Sequence, residues 1–314
     1  MLRRNALILT AITSAALLGA CGGSNDAHTP APAPDIVGLA QATPDLSILV
    51  EAVVAAGLVD TLKGTGPFTV FAPTNAAFAA ALTELGLTKD QLFANKPLLT
   101  AVLTYHVLPG KVASSAIPFG KAITTVQGSI LKIDSVAGAV VITDGRNRTS
   151  KVVTADVAAS NGVVHVVDKV ILPADKNIVQ TAQALPQFSI LVEAVVAANL
   201  AGTLSGPGPF TVFAPTNTAF ANLLTELGIS KAALLADTAL LTKVLTYHVV
   251  SGRVLKADVP LNTAITTVQG DTFTVNASLA ITDQRGRSAN ITGTDVLTSN
   301  GVIHVIDKVI LPKP

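Results

Sequence analysis

The sequence has no tryptophan, only two tyrosines and one cysteine among its 314 residues. With one thiol, no disulfide can form within the chain, so its stability must come from packing. Charged residues make up 13% of the chain, about half the usual share. No Lys/Arg cluster forms a basic stripe, which excludes nucleic acid as a partner class. The shortage of Trp and Tyr removes the flat platforms of sugar sites and the aromatic anchors common at protein interfaces. Any interface then rests on aliphatic contacts and backbone hydrogen bonds. A GxSxG elbow, a glycine-rich phosphate loop, an HExxH pair and a paired-carboxylate signature are all missing. No enzyme class, cofactor or metal is therefore indicated.

Apolar residues are abundant, at 49%, enough for two domains that each bury a core. At the N-terminus, Arg3-Arg4 precede an apolar run from Ala6 to Leu18 and small residues up to Cys21. The run is too short to cross a bilayer and reads as a signal peptide over 1–20. Leu18-Gly19-Ala20-Cys21 resembles the lipobox of bacterial lipoproteins. That resemblance implies lipid attachment at Cys21, membrane anchoring and sorting to an outer membrane facing periplasm or cell surface. Residues 21–34, with Pro30-Ala31-Pro32-Ala33-Pro34, read as a semi-rigid tether.

The rest of the chain is a duplication. Pro67–Asn75 recurs unchanged as Pro209–Asn217, an offset of 142 residues that also maps Ser47–Ala56 onto Ser189–Ala198. Asn161-Gly162 maps onto Asn300-Gly301 at an offset of 139, so the second copy lacks three residues between Gly128 and Ile142. A hairpin tip is expected there, where deletions are tolerated. So long a period means duplicated domains rather than solenoid units. The boundaries are placed at 35–173 and 177–312.

Within a copy, Leu46, Leu49, Val50, Val53 and Val54 recur at helical spacing, and Gly57 stands near the helix end. Phe68–Phe71 reads as a strand, Asn75 as the cap of a second helix, and Thr88 with Gln91 as a capping box. Asn95 opens a helix carrying Leu98, Val102 and Tyr105. Beyond Gly110 the pattern is β: short runs, an Asn161-Gly162 hairpin signal, and a strand from Val163 to Ile171. The fold class is α+β.

These residues resemble the fasciclin family. Thr69–Asn75 with Phe78 matches one family block, and Asn161–Asp168 followed by Val170–Pro173 matches another. A Tyr-His pair lies between them, and all three motifs repeat in the second copy. The resemblance implies two tandem modules, each a β-sandwich-like wedge with packed helices. It also implies a non-enzymatic extracellular or surface protein with a protein, cell-surface or matrix partner. The alternative is a periplasmic structural or small-ligand-binding lipoprotein.

The resemblance marks Tyr105-His106, Tyr247-His248, Asp156 and Asp295 as candidate partner-binding residues. Each has a plainer reading. Tyr105 shares the apolar stripe of Val102 and is equally a core aromatic. Asp156 and Asp295 are equally turn residues. His165 and His304 alternate with core valines and read as buried, hydrogen-bonded histidines. Zinc would require His106, His165 and an acid such as Asp168 to converge.

Overall fold

The computed structural model describes residues 33–314. The expected signal peptide, Cys21 and most of the expected tether lie outside the described residues.

The first copy begins with helices α1 (Ile36–Gln41), α2 (Ser47–Ala56) and α3 (Val59–Lys63), followed by strand β1 (Phe68–Pro73). Helices α4 (Asn75–Leu85), α5 (Lys89–Ala94) and α6 (Lys96–Tyr105) come next. The remainder is β2 (Val107–Pro109), β3 (Ala122–Thr124), β4 (Ile130–Val136), β5 (Ala139–Thr143), β6 (Thr149–Ala159) and β7 (Gly162–Val167). The sheet order is β2-β1-β7-β6-β5-β4-β3. β1 and β7 run parallel, and every other pairing is antiparallel. β6 carries two register shifts, so its start pairs with β5 and its end with β7. Such bulges bend a strand, and here they fold the sheet into a wedge.

The local causes are visible in the sequence. Gly57 and Gly86 close α2 and α4 at φ 71° and 64°, where a Cβ would be strained. Thr88 and Gln91 form the expected capping box. Thr74, not Asn75, caps α4 by accepting the Ala77 N–H. Asn75 instead ties α4 to α2: its Oδ1 accepts from the Ile48 N–H at 3.0 Å, and its Nδ2 donates to the Pro44 carbonyl. Gly162 opens β7 rather than forming the turn. A Cβ there would stand 2.1 Å from the Phe68 carbonyl oxygen, so close packing of the parallel pair requires glycine. The expected strand to Ile171 stops at Val167. Asp168 still donates to the Lys151 carbonyl of β6 at 3.1 Å, and beyond it backbone N–H groups bond side chains instead: Ile171 to His106 Nε2 and Leu172 to Asp144 Oδ2.

β1 is buried on both faces, as a central strand with a parallel neighbour should be. Val70 and Ala72 face the helical core with Leu49, Val53, Phe78 and Val102. Phe71 faces the hollow of the curled sheet, with Tyr105, Leu131, Ile133, Ile142 and Ile171. The second copy repeats the order from Ile178 to Ile306, with the seven strands connected in the same way. Its missing residues shorten the hairpin equivalent to β4–β5, now Thr272–Val275 and Ala280–Thr282. Among the described residues, no helix is long and apolar enough to cross a membrane.

Candidate functional site

The two Tyr-His pairs lie inside the domains. Tyr105 closes α6 at 0% exposure, and its hydroxyl donates to the Ile130 carbonyl at 2.7 Å. Tyr247 is equally buried and donates to the Thr272 carbonyl at 2.8 Å. Burial pushes both phenol pKa values up, with nearby Asp144 adding to the effect at Tyr105. His106 follows at the helix end. Its Nδ1 lies 2.7 Å from the Val102 carbonyl, and its Nε2 accepts the Ile171 N–H at 3.1 Å. The proton therefore sits on Nδ1 of a neutral ring. His248 repeats this with Val244 and Ile310. Burial pushes each imidazole down to about 4, against the opposing pull of its carbonyl partner. None of these four side chains presents a surface to a partner.

That burial has a pH consequence. Above about pH 6.5 the histidines are neutral in folded and unfolded chains alike, and stability is full. As pH falls below that, the unfolded chain binds protons that the folded one cannot, so stability drops until about pH 4. Urea unfolding at pH 7 and pH 5 should differ by roughly 2 kcal/mol per histidine, and His106→Gln should flatten the first domain's share. An unchanged pH slope in that variant would refute this account.

His165 lies on β7, with Nε2 2.9 Å from the Val112 carbonyl and Nδ1 accepting the Asp156 N–H at 3.1 Å. Both nitrogens of His106 and of His165 are thus engaged. Asp168 ties strands, accepting from the Lys151 N–H at 2.7 Å and Ser150 Oγ at 3.0 Å. No cluster of three or more His, Cys, Asp or Glu side chains occurs among the described residues.

Asp156 and Asp295 are equivalent in geometry and opposite in exposure. Each sits on a bulge, at φ 59° and 60°. Each backbone N–H meets a histidine Nδ1, at 3.1 and 3.4 Å. Each carboxylate accepts a backbone N–H from the loop after β2 or its twin: Ser114 at 2.8 Å, Lys256 at 2.7 Å. The Asp156 carboxylate also accepts from Ser114 Oγ. These two Ser114 bonds hold its pKa below the usual carboxylate range. Asp156 is exposed. The Asp295 side chain is 3% exposed, because Lys132 Nζ of the first domain sits 3.0 Å from its Oδ2. Lys132 also pairs with Asp134 at 3.0 Å. Burial works against its charge, but the hydrogen bonds to Asp295 and Asp134 outweigh that and raise its pKa.

Three residues that the sequence reading passed over organise these surfaces. Lys132 and Asn147 join the domains, and Asp144 accepts five hydrogen bonds from Arg146, Arg148 and Leu172. Asp144 had a usable signal, since Asp-x-x-x-Arg at 144–148 repeats at 283–287. Lys132 had none in the repeat, because its twin is Thr274.

Fold and site together define a duplicated α+β scaffold whose buried polar groups serve its own backbone. A family model for the fasciclin domain matches residues 44–173 and again 186–312. The chain belongs to the fasciclin domain family and carries two such domains in tandem. Its relatives include transforming growth factor-beta-induced protein ig-h3 of Sus scrofa, 32% identical over 253 residues that cover 80% of this chain and 35% of that protein. Periostin of Homo sapiens is 29% identical over 262 residues, 82% of this chain and 29% of that protein. The chain thus spans about a third of those two relatives. Protein sll1483 of Synechocystis is 44% identical over 141 residues, 44% of this chain and 73% of that protein. A solved FAS1 domain pair from the insect cell adhesion molecule fasciclin I is similar over 85% of this chain and 97% of that one, at 18% identity and a TM-score of 0.42.

Proposed function

We propose that this chain is a non-enzymatic protein of a bacterial envelope or cell surface that mediates adhesion or protein–protein interaction, with Asp156 in its contact surface. Residues 1–20 export it, an acylated Cys21 and the tether to residue 34 hold it at a membrane, and modules 35–173 and 177–312 are presented beyond. One observation carries the contact surface: of the candidate partner-binding residues on the two domains, Asp156 alone is exposed. Its carboxylate is also pre-oriented by Ser114, which lowers the entropy to be lost on binding. A small-ligand role has less support. The apolar groove between α1, α2 and β1 has a volume of about 60 Å³ and its twin about 30 Å³, against roughly 300–1,000 Å³ for ordinary ligand sites. The cleft between the domains is larger, about 540 Å³. There Arg146 already pairs with Asp175, and Arg148 with Asp144 and Glu84.

Asp156→Asn, which keeps the left-handed backbone and an acceptor for the Ser114 N–H, should reduce binding to envelope extracts or intact cells by about 10-fold or more, with little change in thermal stability, if the carboxylate makes a desolvated contact. In the same cells, Cys21→Ser should move the protein from the membrane to the soluble fraction. Equal binding by the Asp156 variant would sink the contact surface, and membrane retention of the Cys21 variant would sink the anchor.

A further inference from the structure

The two domains carry the same face, and the chain itself shows what that face binds. In the second domain the face is covered. Lys132 of the first domain meets Asp295 at 3.0 Å. Asn147 of the first domain clamps the Leu297 backbone, accepting its N–H at 2.6 Å and donating to its carbonyl at 3.0 Å. Ile130 packs into a buried cluster with Leu255, Leu297 and Val302. In the first domain the equivalent positions are Asp156, Ala113 and Ala158, and Asp156 and Ala158 are exposed.

We propose that this Asp156 face is a docking surface for a fasciclin domain of another molecule, one whose β3–β4 sheet is uncovered and carries a lysine at the position of Lys132. The inference rests on the interaction role proposed above and names the kind of partner. Three observations support it. The backbone geometry that aims the carboxylate is the same in both domains, from the left-handed residue on the bulge to the loop N–H and the histidine beneath. Among the described residues no cation pairs with Asp156, whereas Lys132 neutralises its twin Asp295 on the second domain. The side chains also suit a contact that opens and closes. Leu255 and Leu297 fit a permanently covered face, whereas Ala113 and Ala158 leave no large apolar patch when the face is bare. A further copy of this chain does not supply the partner. Its Lys132 is already engaged, and its second domain has Thr274 for Lys132 and Gly286 for Asn147.

That last point supplies the test. Thr274→Lys with Gly286→Asn, made in the full chain, grafts the acceptor pair onto the second domain. Asn147 and Gly286 share a left-handed backbone, φ 62° and 70°, which asparagine tolerates. The grafted surface and the Asp156 face lie on different domains, so the contact is heterologous and propagates from copy to copy. Sedimentation velocity should show oligomers that grow with concentration, absent from the parent chain. Adding Asp156→Asn or raising salt to about 0.5 M should weaken association about 10-fold or more, as expected for a charge-led contact. If the double graft folds poorly by circular dichroism, Thr274→Lys alone carries the charge and serves in its place. A folded graft that stays monomeric, or that associates as well with Asp156→Asn, overturns the proposal. Envelope binding that depends on Asp156 beside a monomeric graft would leave the interaction role standing and remove this partner alone.

Discussion

Truncating Asp144 to alanine should destabilise the first domain by about 3–5 kcal/mol, the loss typical of breaking a buried, hydrogen-bonded ion pair. The carboxylate is 1% exposed. Its Oδ1 takes the N–H groups of Arg146 and Arg148, at 3.0 and 2.9 Å. Its Oδ2 takes Arg148 Nε at 3.0 Å, Arg148 Nη2 at 2.6 Å and the Leu172 N–H at 2.9 Å. It thus closes a turn, holds a guanidinium through two N–H donors on one oxygen and anchors the segment after β7. Asp283 repeats the turn and the Leu311 contact. Its arginine does not repeat the pair: Arg287 Nη1 stands 4.0 Å away, and the guanidinium bonds Glu226 at 2.8 Å. Asp283→Ala should therefore cost less, roughly 2–3 kcal/mol for orphaned neutral donors. Each domain holds one tyrosine and the chain no tryptophan. Urea titration followed by tyrosine fluorescence thus reads the first domain alone in a Tyr247→Phe background and the second alone in a Tyr105→Phe background. Equal losses in the two domains would show that the two Arg148 guanidinium bonds add nothing.

Tyr105→Ala should have an effect of similar size, about 3–5 kcal/mol, from the cavity left by a fully buried aromatic. Tyr105 fills the hollow of the sheet among Phe71, Leu131, Ile133 and Ile142, and its hydroxyl satisfies the Ile130 carbonyl. Tyr105→Phe keeps the ring and should cost only about 1 kcal/mol, for the lost hydrogen bond. Circular dichroism in urea measures both. A stable alanine variant that no longer binds envelope extracts would return Tyr105 to the contact surface.

The Tyr-His pair shows where motif reading stops. The motif is repeated and ordered, which is what a binding site and a core element both look like in sequence. Tyr105 continues the stripe of Val102, and the α6 axis turns that stripe inward. Which of the two readings holds depends on the sheet that closes over it. Asp156 and Asp295 show the reverse case. The Asp-Val pair and the Ser-Asn that follows it are common to both copies, and so is the backbone at the aspartate, yet one is open and the other covered. The difference comes from Lys132 on the other domain, a residue that is 163 positions from Asp295 and does not recur in the repeat.

The amino-acid sequence alone determined the duplication, the α+β order within each copy and the family, because caps, glycines at left-handed positions and strand alternation act over a few residues. It also set the supply of groups: no disulfide, few charges and few aromatics. The tertiary structure alone decided which polar groups face water. Burial of Tyr105 and His106, the ring of donors around Asp144 and the covering of Asp295 arise from segments distant in the chain meeting across a curled sheet. Exposure is a property of that meeting, and no local pattern encodes it.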